Sequence, residues 1–219
     1  MQTAPIDYTI RHSERARRVR VNVDPLGEVT VTLPSGASRA AAAAAVRELE
    51  PWIRRRLERA GRARAALAER AGTVPLLGRP LALVAETGRR QVTRRGEQLL
   101  VPAGDPRPAL ERYMRREARR EVARRLDAAC ERAGLAYSGL SIRAQRTRWA
   151  SCSARGAMSF NWRLMMAPEP VLDYVVWHEV CHLAVADHSP RFWRLVERYR
   201  PTWRDERAWL AEHGATLIL

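Results

Sequence analysis

The sequence predicts an α+β fold, with a β-rich N-terminal part over residues 1–104 packed on a helix-dominated C-terminal domain over residues 105–219. Apolar residues alternate with period two near the N-terminus, which marks half-buried strands. In the second half they recur with the helical period, and one helical segment there is apolar on every side, as a central buried helix must be.

Val19, Val21 and Val23 alternate with polar residues, and Val29, Val31 and Leu33 do so again. Asp24-Pro25-Leu26-Gly27 between them carries turn chemistry, so the pair reads as a hairpin. Ser38 is a candidate N-cap for the alanine-rich stretch that follows. Pro51 interrupts that stretch and predicts a kink or a second helix, anchored by Trp52 and Ile53 and running towards Ala71. Residues 73–103 hold short apolar runs between prolines and glycines, which predicts further short strands and a connector. A long helix is expected from about Pro106 to Ala133, capped by Asp105 and ended by Gly134. Its buried stripe is Leu110, Tyr113, Met114, Ala118, Val122, Leu126 and Cys130. Leu140 to Trp149 and Ala157 to Leu164 read as two strands, and three helices follow at about 169–185, 190–199 and 203–213.

Composition narrows the class. Hydrophobic residues make up 46% of 219, enough for a globular core, and no stretch is apolar and long enough to span a membrane. Three cysteines, Cys130, Cys152 and Cys181, are too few and too widely spaced for a disulfide framework. Met1 to Arg11 lacks the apolar core of a secretory signal, so a cytoplasmic location is expected. The net charge is +15, and all 39 basic residues are arginine. With the alanine runs this resembles the coding bias of a GC-rich genome, so a solvated surface is expected. The alternative is a ridge at Arg112, Arg115, Arg116 and Arg119 that faces the phosphates of a nucleotide or nucleic acid.

The chemistry is carried by His178-Glu179-Val180-Cys181-His182. Histidines at i and i+4 leave one helix face a turn apart, so one tetrahedral cation can take both imidazoles. Glu179 lies about 100° round the helix from His178, at the edge of that face. There it can reach a metal-bound water without entering the coordination sphere. The metal lowers the water's pKa to about 7 and the carboxylate takes its proton. Leu172, Val176, Val180 and Leu183 make the helix apolar on one side, and Val171, Tyr174 and Val185 accompany the histidines on the other. Buried polar groups in such an element need partners, and a metal supplies them. A catalytic site needs a third ligand. His188 is the first candidate, with Glu197, His213 and Cys181 as competitors. Asp187 reads as a helix-end residue, with support of a histidine N–H as the alternative.

The stretch from Asp173 to Leu183, followed by His188-Ser189 and Phe192-Trp193, resembles the YgjP-like metallopeptidase family, itself similar to the SprT-type zinc proteases. Arg148-Trp149-Ala150-Ser151-Cys152-Ser153 resembles that family's Trp-Gly-Ser-Cys box, and Phe160-Asn161-Trp162-Arg163-Leu164 with Pro168 resembles the strand and turn before its active-site helix. Ser13 to Arg17 and Trp52-Ile53 fit more weakly. The resemblance implies a zincin-like catalytic domain, Zn2+ on His178, His182 and His188, and Glu179 as general base. Ala150 departs from the family's glycine, and would strain the loop if that position needs positive φ. Cys152 invites a nucleophile reading, but no base is adjacent in sequence, so a structural role is expected.

The leading expectation is a zinc metallopeptidase acting on protein or peptide. An extended substrate would lie along an edge strand at Phe160 to Leu164, with Tyr174, Arg148 or Arg163 stabilising the oxyanion. The alternatives are a nucleotide phosphoanhydride hydrolase, for which no Walker-type loop or carboxylate cluster is found, and a nucleic-acid-associated protease.

Overall fold

The computed structural model describes residues 4–24, 26–145 and 147–219, which fall into two compact units, 1–71 and 72–219. In the first unit β1 (Thr9–Ser13), β2 (Arg20–Val23) and β3 (Val29–Pro34) form a sheet in the order β1-β3-β2. β2 and β3 pair antiparallel, as the alternation predicts, and β1 adds a parallel edge. The Asp24 carboxylate closes the connection by accepting from the backbone N–H groups of Leu26 (2.9 Å) and Glu28 (2.8 Å), while Pro25 lies outside the described residues. Two helices follow, α1 (Arg39–Glu48) capped by Ser38 and α2 (Glu50–Glu69) with Pro51 in its first turn. Val29, Val31 and Leu33 on one face of β3 meet Ala42, Val46 and Ile53, the small core of this unit.

The second unit begins with β4 (Thr73–Leu76), β5 (Arg79–Glu86), β6 (Thr93–Arg95) and β7 (Gln98–Pro102), in the order β4-β5-β7-β6. Val74, Leu76, Leu81, Leu99 and Val101 from these strands share one core with the following helices. The units therefore divide at 71/72, and the boundary expected at 104/105 falls inside the second unit. The long helix α3 (Arg107–Ala133) buries all seven residues of its predicted stripe and ends at Gly134, whose φ of 65° is left-handed. The N-cap is Pro106 and not the expected Asp105, which stands one residue earlier and accepts from the Arg107 N–H at 3.1 Å.

A second small sheet holds β8 (Gly139–Arg143), β9 (Ala150–Cys152) and β10 (Ala157–Asn161) in the order β8-β10-β9. The expected edge strand at Phe160 to Leu164 is thereby corrected. Its Phe160-Asn161 part lies in the central strand, parallel to β8 and antiparallel to β9, and Trp162–Met166 forms a 3-10 helix. The cause is local: the Asn161 side chain accepts from the Arg163 N–H at 3.2 Å and turns the chain out of the sheet. The helices α4 (Glu169–His182), α5 (Pro190–Tyr199) and α6 (Trp203–His213) complete the unit. No helix among the described residues is long and apolar enough to cross a membrane.

Candidate metal centre

α4 starts with Pro168 as N-cap and a proline in its first turn, and buries Val171, Leu172, Tyr174, Val175, Val176, Glu179, Val180 and Cys181. It is the central helix that its two apolar sides predict. Past its end Val185 N–H bonds the Cys181 carbonyl at 3.0 Å, which folds the chain back on the last turn. That fold brings the Val185 carbonyl 3.1 Å from His182 Nδ1. A proton on Nδ1 donated to this carbonyl leaves Nε2 as a lone pair. Asp187 then accepts from the Ser189 N–H at 3.1 Å, so it shapes the entry to α5.

This turn returns His188 to the α4 face. Its Nε2 lies 3.0 Å from His178 Nε2, which lies 3.2 Å from His182 Nε2. Ligands about 2.05 Å from a tetrahedral ion stand roughly 3.3 Å apart, so this separation suits one shared cation. His178 and His182 resist protonation. Burial first, then the two neighbouring imidazoles, push His178 down to about 3, and burial also lowers His182. Three imidazole Nε2 atoms thus converge on one point. Among the described residues these three histidines form the group that could hold a metal ion. Phe192 of α5, fully buried, touches all three rings at centroid distances of 4.9, 4.4 and 4.9 Å.

Beside the triad Glu179 is 4% exposed. Burial raises its carboxyl to about 7, against the opposing pull of a backbone hydrogen bond from Cys152 and the charge of Arg148. Its Oε2 has no partner among the described residues, so one oxygen is uncommitted. The Cys152 thiol is itself pushed up by burial and by Glu179, which disfavours the thiolate a nucleophile needs. Ala150 sits in β9 opposite Phe160, and Leu77 is the one non-glycine with positive φ among the described residues. The alanine therefore imposes no strain.

An open cleft of about 320 Å³ adjoins the site, lined by Trp149, Ala150, Tyr174, Val175, His178, Glu179, Arg207, Leu210 and Ala211. Gly214 admits the indole of Trp149: a Cβ there would stand 2.8 Å from Trp149 Cζ2. Of the expected oxyanion groups, Tyr174 lines the cleft and Arg148 is exposed near Glu179, while Arg163 lies over the Trp162 ring at 4.8 Å and is not part of the lining. The competing ligands go elsewhere. Glu197 pairs with Arg204, His213 lies beside Trp209, and burial pushes the Cys181 thiol up to about 12. Arg207 was not anticipated, because one arginine among so many gives no contrast. The available signal was its place between Trp203 and Leu210 on one helix face.

A histidine triad next to a buried carboxylate and an open cleft is the make-up of a metal-dependent hydrolase. The profile of the YgjP-like metallopeptidase domain matches residues 17–213, and the chain belongs to that family. It is accordingly a metal-dependent peptidase by family. Two solved structures are similar over part of it, both metallopeptidase zymogens. Abylysin of Pyrococcus abyssi is 24% identical with a TM-score of 0.36, covering 41% of this chain and 93% of that one. Jannalysin of Methanocaldococcus jannaschii is 15% identical with a TM-score of 0.37 and the same coverages of 41% and 93%. No curated protein matches the chain.

Proposed function

We propose that this protein is a zinc metallopeptidase in which His178, His182 and His188 hold the metal and Glu179 is the general base. The observation that carries this reading is the convergence of three imidazole Nε2 atoms beside a buried carboxylate with an uncommitted oxygen. Three imidazole ligands suit zinc, which when bound acidifies water and polarises a carbonyl. Glu179 accepts the proton at Oε2, and its raised pKa matches a base that works near neutrality. Phe192 excludes solvent from one side of the triad and fixes the ring orientations. Tyr174 stands in the cleft, where its hydroxyl can donate to the developing oxyanion. Its pKa is raised to about 12, chiefly by burial, so the proton stays on the phenol.

The substrate strand is reassigned with the sheet. β9 is an edge strand, and its Ala150, with the preceding Trp149, lines the same cleft as His178 and Glu179. An extended peptide beside β9 would place its carbonyl at the triad. The test is hydrolysis of an unfolded protein and of a nucleotide panel by zinc-loaded and chelated enzyme. Zinc-dependent cleavage of the protein alone is expected. Nucleotide turnover without peptide cleavage would overturn the reading.

A further inference from the structure

α6 presents Trp203, Arg207 and Leu210 on one face, at spacings of four and three residues. Trp203 and Leu210 are buried, and Arg207 between them is exposed at the cleft. Its guanidinium carbon lies 5.1 Å from the Trp193 ring and 5.9 Å from the Trp203 ring, and those two rings stack at 4.3 Å. Trp193 continues to the triad, 5.6 Å from His188 and 5.7 Å from His178. The arginine thus rests on an aromatic shelf built onto the metal centre.

Its neighbours are neutralised and it is not. Arg200 bonds Glu206 at 2.8 Å, Arg204 bonds Glu197, and Glu206 also accepts from Thr202 at 2.7 Å. Among the described residues Arg207 has no carboxylate partner. A guanidinium near indoles and without a carboxylate partner has N–H donors to offer, and a guanidinium can take a carboxylate by two parallel bonds. Its exposed position is that of a group meeting the substrate away from the scissile bond.

We propose that Arg207 is a specificity-determining residue that binds a carboxylate of the peptide substrate at the mouth of the cleft. The carboxylate comes from an Asp or Glu side chain or from the C-terminus of the peptide. This assignment rests on the peptidase reading above.

The test uses zinc-loaded enzyme and matched peptides, with Glu or Gln near the scissile bond and with a free or amidated C-terminus. Wild type is expected to favour the carboxylate-bearing peptide by about 10- to 100-fold in kcat/KM, the range of a charge-assisted hydrogen bond. That ratio falls close to one in Arg207→Gln and to an intermediate value in Arg207→Lys. Preference lost on amidation assigns the C-terminal carboxylate, and preference lost on Glu-to-Gln exchange assigns a side chain. No preference in wild type, or one that persists in Arg207→Gln, overturns the proposal. Binding separates its failure from failure of the peptidase reading. Calorimetry of Glu179→Gln protein with each peptide pair should show the same discrimination without turnover, lost in the Glu179→Gln/Arg207→Gln double variant. If no peptide is cleaved yet this discrimination holds, the carboxylate site stands and the peptidase reading falls. Equal affinities overturn the site.

Discussion

Phe192 is the residue on which the triad leans. It contributes no ligand, yet its ring lies within 4.9 Å of every imidazole centroid and is fully buried. Removing it leaves a void beside three polar rings, so Phe192→Ala is expected to cost about 3–5 kcal/mol. Urea denaturation of wild type and variant checks this, and competition with a zinc chelator should show weaker metal retention in the variant. An unchanged denaturation midpoint would show that the ring is not the support described here. His178 and Glu179 show the same burial acting in opposite senses, holding the imidazole neutral and drawing the carboxyl up towards neutrality. Each shift suits the role proposed for it.

At the scale of elements, α4 is tied to α3 by charge as well as by packing. Arg125 of α3, whose side chain is 10% exposed, bonds Asp173 of α4, Glu121 at 2.8 Å and Glu169 at 3.5 Å. Arg125→Met keeps the bulk and removes the shared cation, while Glu121 keeps Arg124 at 2.7 Å and Asp173 keeps Arg200 at 3.8 Å. A loss of about 1 kcal/mol is therefore expected, the scale of a partly exposed ion pair. A denaturant midpoint lowered at constant slope would report it, and no change would mean that water replaces the guanidinium. The elements themselves were largely legible. The stripe of α3, the Pro51 helix start and the two apolar sides of α4 follow from periodicity and caps. The sheet around β10 was less so, because alternation gives the face of each strand and not its neighbours. Trp162 to Leu164 reads as the strand from Ala157 continuing, whereas the Asn161 cap decides the turn. In the site, the i, i+4 histidines and His188 were readable from spacing. The Cys152 backbone donor has no sequence signature, and Arg207 is hidden among many arginines.

Across the whole molecule the charge of +15 is partly engaged within the fold. On the ridge considered for phosphates, Arg115 bonds Glu111 at 2.6 Å, Arg116 lies 5.8 Å from the Tyr113 ring centroid, and Arg119 reaches the Leu140 carbonyl at 3.4 Å. Neutralising Arg112, Arg115, Arg116 and Arg119 together is therefore expected to change the salt slope of duplex DNA binding by less than about one unit. Four direct phosphate contacts would change it by roughly 3 to 4. A shift of that size, measured by titration at several salt concentrations, would make the ridge a nucleic-acid site. The central claim concerns the metal centre, and Glu179→Gln tests it most directly. The amide keeps the shape of the carboxylate but cannot take a proton. With zinc content matched by elemental analysis, cleavage of an unfolded protein should fall by at least about 100-fold in the variant. Cleavage at the wild-type rate by zinc-loaded Glu179→Gln would contradict the account.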